Sequence, residues 1–348
     1  MRTPAALLSA AAAVLWLTAG SAAAQSAPVD HRALAERTLE QHVMPLTAGF
    51  AQATDALAAT ADCTAADPAA ALRPVWRDAF LAWARLSHLQ LGPLEEEGRT
   101  LAISLWPDKR GFSRRTVERM VAEQDAIVDQ PDRYGDVSVA GRGLMALHYL
   151  LYVSDVPVQG YRCRLATAIA ADLAVSADIV QARWADPWAA YLLQAGADGN
   201  PVYQSGAEAT KALFQALMTG FQILVDQRLG GPLGTFDRPR PKRAEAYASG
   251  ASLDAIAETL SSMRAMAEIA FYPTVNAEAQ AALGAAFDRT DEILARIEGP
   301  LPEDVASPAS RIQVEALKIS ASDLHQALAA VLGERLGITI GFNALDGD

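Results

Sequence analysis

Apolar residues recur at steps of three and four along most of this chain, and that spacing limits what it can become. In Leu253, Ile256, Leu260, Met263 and Ile269 the apolar steps are mostly three and four, behind Ser252, which reads as an N-cap. Leu213, Leu217, Phe221 and Leu224 repeat the pattern, as do Leu165, Ile169 and Leu173. Val75, Ala79, Phe80, Trp83 and Leu86 place two aromatics on one helical stripe. Period-two alternation is missing, so a sheet of any size is not expected. The spacing predicts helices over 31–60 (bent at Pro45), 70–90, 113–129, 138–153, 162–184, 207–229, 252–271, 277–297 and 310–335. Breakers cluster at Gly196, Gly199, Asn200 and Pro201, and again from Gly230 to Pro241. Four or five helices precede the first break and four follow it. Short loops make such helices bury their apolar stripes against one another. The expected architecture is therefore all-α, with two four-helix-bundle-like halves of up-down topology over 28–200 and 203–348.

Composition narrows the function classes. Half of the 348 residues are hydrophobic (51%) but only 7% are aromatic, which suits helices better than a β-sandwich. With 29 Lys+Arg against 41 Asp+Glu the formal charge is −12, so non-specific binding to nucleic acid or anionic lipid is not expected. Arg2, the apolar stretch Ala5–Ala19 and the small residues before Gln25 read as a signal peptide over 1–24, cleaved near Ala24. A periplasmic protein without a membrane span is the expectation. Cys63 and Cys163 are the only cysteines, and an oxidising compartment favours bridging them over leaving two buried thiols.

Few residues offer chemistry. Of five histidines, His31 and His42 read as surface residues among charged neighbours, His88 follows the aromatic helix face and His325 sits near Asp323. His148 differs, because Leu147 to Tyr152 is apolar all round and therefore buried. A buried imidazole needs a partner, so His148 is either a core histidine bonded to a neighbouring helix or a ligand inside a bundle. Glu95-Glu96-Glu97 after Gly92-Pro93 suits a helix N-terminus, with one carboxylate free to turn inward. Trp106-Pro107-Asp108-Lys109 reads as a tight turn, with Asp108 either capping the next helix or lining a pocket. There is no HExxH, P-loop, G-x-S-x-G elbow or Rossmann glycine fingerprint.

Four segments together resemble the imelysin-like family: Trp83–Asp108, Arg142–Leu151, Leu233–Pro241 with Arg243-Ala244-Glu245, and the C-terminal Gly341–Asp348. The resemblance implies an all-helical exported protein associated with iron acquisition, in a family first described as metallopeptidases. It also implies that Cys63 and Cys163 pair. The family's GxHxxE motif sets a His and a Glu three apart on one helix face. Here Gly143 keeps the glycine, but Met145 stands at the histidine position and His148 at the glutamate position. A thioether suits Cu(I) better than Fe(III), so an inherited iron site would need His148 with Glu96 or Asp108. Losing the glutamate also removes the obvious general base, and no catalytic residue is assigned.

The expected function is thus a non-catalytic component of iron uptake that binds a metal or small ligand. Met145, His148, Glu96 and Asp108 are the candidate metal donors, for iron or another transition metal such as copper. Trp106, Arg142 and Gly143 are the candidate ligand contacts. The partner would be a metal ion, a small ligand, or an outer-membrane or periplasmic uptake component. The alternatives are a metallopeptidase of the imelysin type, or a partner- or polymer-binding module in which Trp76, Trp83, Trp106, Trp184 or Trp188 stack on sugars, although the helical spacing of Trp76 and Trp83 reads first as core.

Overall fold

A computed structural model describes residues 27–338; the expected signal peptide over 1–24 and the Gly341–Asp348 segment fall outside the described residues. Those described are helical or in turns, and their one β-bridge pairs Thr235 with Arg238. In the N-terminal half, α1 (31–60) starts at the cap formed by Asp30, whose carboxylate accepts the Ala33 N–H. The bend expected at Pro45 is taken up by a π-helical turn, Leu39–Val43, just ahead of it. Such a turn leaves room for a ring that would otherwise strike the preceding carbonyl. α2 (Pro68–Leu86) follows, capped by Asp67. It stops short of residue 90, where the Ser87 hydroxyl bonds back to the Ala84 carbonyl.

The helix start expected at Glu95–Glu97 is not formed. Gly92–Leu94 and Glu96–Gly98 are 3-10 turns, Glu97 has a left-handed φ of 53°, and the short α3 (Arg99–Ile103) begins only after them. α4 (Phe112–Glu123), α5 (143–153) and the long α6 (161–193) complete this half. α6 is long and apolar enough to cross a membrane by composition alone, yet 61% of its most apolar window is buried in the fold. It is the core helix, flanked by α1 and α5. The Cys63–Cys163 disulfide ties its first turn to the end of α1, with Cα atoms 5.7 Å apart.

The C-terminal half comprises α7 (206–233), α8 (252–271), α9 (Ala277–Leu294), the short α10 (Leu301–Ala306) and α11 (Pro308–Leu336). Ser252 is not the cap of α8; its hydroxyl bonds instead to the Glu245 carbonyl. The halves share one core. α2 lies along α8, where Arg85 grips Glu258 through two hydrogen bonds of 2.6 and 2.8 Å and Arg77 pairs with Asp254. The first turns of α1 also pack on α7 and on the end of α8.

Candidate functional site

α5 starts where only glycine fits. Gly143 has φ +66°, and a Cβ there would overlap the carbonyl oxygens of Ala102 and Ile103 at the end of α3. From this abutment the helix turns Leu144, Ala146 and Leu147 into the core and sets Met145, His148 and Tyr149 along a cavity of about 570 Å³. The facing wall on this half is the Leu105–Lys109 turn. Asp108 does both things proposed for it: it lines the cavity, and its two oxygens accept the Phe112 and Ser113 N–H groups at 2.9 and 2.8 Å, capping α4.

The other half closes the cavity with α7 and the segment after it. Asp226 and Gln227 come from a π-helical turn, Ile223–Leu229, and Tyr149 and Val153 from the π turn that ends α5. A buried ion pair holds this wall in place. Arg228 donates to Glu245 at 2.8 Å, to the Thr259 hydroxyl at 2.6 Å and to the Ser87 hydroxyl at 3.0 Å, linking α7, the 241–247 segment, α8 and the end of α2. With its hydrogen bonds made, such a pair fixes geometry. It holds the segment whose Ala244 and Ala246 line the cavity.

His148 sits in an aromatic box, its ring 5.6 Å from Trp76, 5.7 Å from Tyr152 and 5.6 Å from Tyr247, centroid to centroid. Burial lowers its pKa to about 4, opposed by a backbone hydrogen bond at Ala246, so the ring is neutral at pH 7. Its Nε2 is buried and has no hydrogen-bond partner among the described residues.

Of the residues singled out from sequence, Met145, His148, Asp108 and Trp106 meet at this cavity. Three do not line it. Glu96 is held elsewhere by Arg183 at 2.7 Å and the Trp188 indole at 3.0 Å, and the Arg183 hydrogen bond draws its carboxyl below the usual range. Arg142 spends its guanidinium on both oxygens of Asp172, at 2.8 and 2.9 Å, and on the Gly135 carbonyl. Gly143 serves the backbone contact just described. The metal set assembled from sequence therefore does not form. Glu96 is absent, Asp108 is occupied by a helix N-terminus, and no cluster of three His, Cys, Asp or Glu exists among the described residues. Asp226 also lines the cavity but forms no such cluster with His148 and Asp108, so the residues present do not fit a resident metal ion.

Two further expectations change. His42 is not on the surface; it is buried, with its Nε2 3.0 Å from the Nε2 of His88. Trp184 is a core residue that cannot stack on a sugar, joining Trp76 and Trp83, whose helical spacing already assigned them to the core. What sequence reading missed is the basic wall of Arg240, Lys242 and Arg243. The signal was present in Arg240, Lys242 and Arg243 themselves, in a segment read above as a breaker and as part of the family resemblance but not as a basic surface.

Comparison with known proteins places this arrangement. The family model described as Imelysin matches residues 38–331. Iron-regulated protein A of Synechococcus elongatus is 26% identical over 221 residues, a match spanning 61% of this chain and 57% of that protein. Two crystal structures share the fold. An imelysin-like protein from Psychrobacter arcticum superposes with a TM-score of 0.71 at 20% identity, over 90% of this chain and 97% of that one. A putative iron-regulated protein A precursor from Parabacteroides distasonis gives 0.65 at 13% identity, with the same coverage. The family match takes in both walls of the cavity as well as the helices behind them, and the chain belongs to the imelysin family.

Proposed function

We propose that this chain is a non-catalytic ligand-binding protein of bacterial iron acquisition, exported to the periplasm, whose ligand sits in the cavity between the two halves. The observation that carries the reading is His148, buried and neutral, which lines a cavity of about 570 Å³, a size suited to small molecules, and whose buried Nε2 has no hydrogen-bond partner among the described residues. A core histidine that merely filled space would have both ring nitrogens satisfied or no cavity beside it. Family membership and the iron-regulated description of the Synechococcus relative support the link to iron. Replacement of the family's His and Glu by Met145 and His148 removes the general base and argues against peptidase chemistry.

The test is native mass spectrometry of the mature chain incubated with ferric complexes of differing charge, beside Gly231→Trp. Gly231 lines the cavity and a Cβ there meets nothing within 4 Å, so the variant fills the mouth without strain. A one-to-one adduct lost in Gly231→Trp is expected. No adduct with any complex, or one that survives Gly231→Trp, overturns the reading. Chelator-sensitive cleavage of an unstructured protein overturns its non-catalytic part.

A further inference from the structure

The charge on the cavity wall runs against the charge of the chain. The whole sequence carries −12, yet five cationic side chains (Lys109, Arg114, Arg240, Lys242 and Arg243) line the cavity against the two carboxylates of Asp108 and Asp226. Asp108 is further offset by the helix N-terminus that it caps. Arg114 faces Glu118 at 3.9 Å, but Lys109, Arg240, Lys242 and Arg243 make no ion pair among the described residues. The carboxylate closest in sequence to the basic run, Glu245, is buried and committed to Arg228. Like charges gathered in one concavity repel one another, and a low-dielectric wall focuses their field. Such an arrangement is stabilised by a bound counter-charge.

The rest of the lining says what kind. Two of the free cations are arginines, whose planar forks match carboxylate or phosphate oxygens two at a time. Trp106, Met145, Val153 and Tyr247 line the same cavity, an apolar surface that suits a carbon skeleton better than a bare inorganic ion. We infer that the cavity binds a small organic polyanion bearing two or more carboxylate or phosphate groups, free or wrapped around a ferric ion, with Arg240, Lys242 and Arg243 receiving its charged groups. This rests on the ligand-binding reading of the same cavity and adds the charge and class of the occupant.

The experiment uses the mature full-length chain and follows tryptophan fluorescence, since Trp106 lines the cavity. Three probes are titrated: citrate, ferric citrate, and a positively charged ferric trihydroxamate. Each is measured on the wild type, on Arg240→Gln/Lys242→Gln and on Arg240→Lys. Arg240 and Lys242 are exposed and unpaired, so a circular-dichroism melt unchanged from wild type is expected for these variants.

Saturable binding of citrate, ferric citrate or both is expected, weakened about 10- to 100-fold by the double variant and more than 3-fold by Arg240→Lys. Raising salt from 50 to 500 mM should weaken it further. Binding of citrate alone assigns the free polyanion as the source, and binding of ferric citrate alone assigns the complex. Equal or tighter binding of the cationic complex, untouched by the double variant, overturns this inference while leaving a ligand-binding cavity. Failure of all three probes at millimolar concentration overturns this inference and the reading beneath it together.

Discussion

Joining Cys63 to Cys163 closes a loop of 100 residues that contains α2, α3, α4 and α5 and leaves α1 and nearly all of α6 outside it. Replacing both cysteines by serine opens that loop. In the chain-entropy account, a loop of this length restricts the unfolded ensemble by about 4.7 kcal/mol. The folded state should notice the change little. The Thr167 hydroxyl lies 3.6 Å from the Cys63 Sγ, so a serine hydroxyl at position 63 has a polar neighbour. The cost therefore falls on the unfolded side. Equilibrium urea unfolding of the oxidised wild type against Cys63→Ser/Cys163→Ser should show a loss of about 3–5 kcal/mol at unchanged native circular dichroism. Reduced wild type should coincide with the variant. A difference below about 1 kcal/mol would refute the reasoning, because it would mean that the unfolded chain already holds these ends together.

Acid should destabilise the fold before its carboxylates titrate. Burial lowers His42 and His148 from 6.5 to about 4 and pushes His88 down as well, so the folded state binds protons less readily than the unfolded chain. This stability is complete above pH 6.5 and falls as pH drops toward 4, by about 2 kcal/mol for each of His42 and His148 between pH 7 and pH 5. Urea midpoints that are flat over that interval would exclude it. Gly143→Ala should cost about 3 kcal/mol or more, since the left-handed backbone and the Ala102 and Ile103 carbonyls both oppose a side chain; a thermal melt within 2 °C of wild type would contradict the abutment. Glu245→Gln leaves the Arg228 charge buried without its counter-ion and should cost about 3–5 kcal/mol, whereas Glu258→Gln at the exposed Arg85 pair should cost less than about 1. Urea unfolding of the two variants side by side decides it, and equal losses would show that burial does not set the scale.

The all-α class was legible because a helix buries every third or fourth residue, and that rhythm is written in Leu253–Ile269 and Val75–Leu86 whatever the helices pack against. Trp76 and Trp83 could be assigned to the core for the same reason. Local rules also placed Asp108 at the head of α4, since a cap is satisfied within five residues. His148 stood out as buried because its neighbours are apolar on all sides. Where the spacing was local, the reading carried.

Other features needed coordinates. Glu96 could reach His148 as easily as Arg183 on paper, and only the left-handed turn at Glu97 with the placement of α6 decides for Arg183 and Trp188. His42 reads as exposed from its charged neighbours, yet the π turn at Leu39–Val43 rotates it inward to meet His88, 46 residues away. Arg240, Lys242 and Arg243 share a loop with ordinary turn residues; that they face Met145 and His148 follows from the shared core that brings α2 against α8 and from the Arg228–Glu245 pair that pins the loop. By itself the sequence determined the helices, their buried faces and the histidine among them, because those depend on a few neighbouring residues. The tertiary structure alone decided which charges meet across the cavity, because contacts between distant residues depend on how whole helices cross.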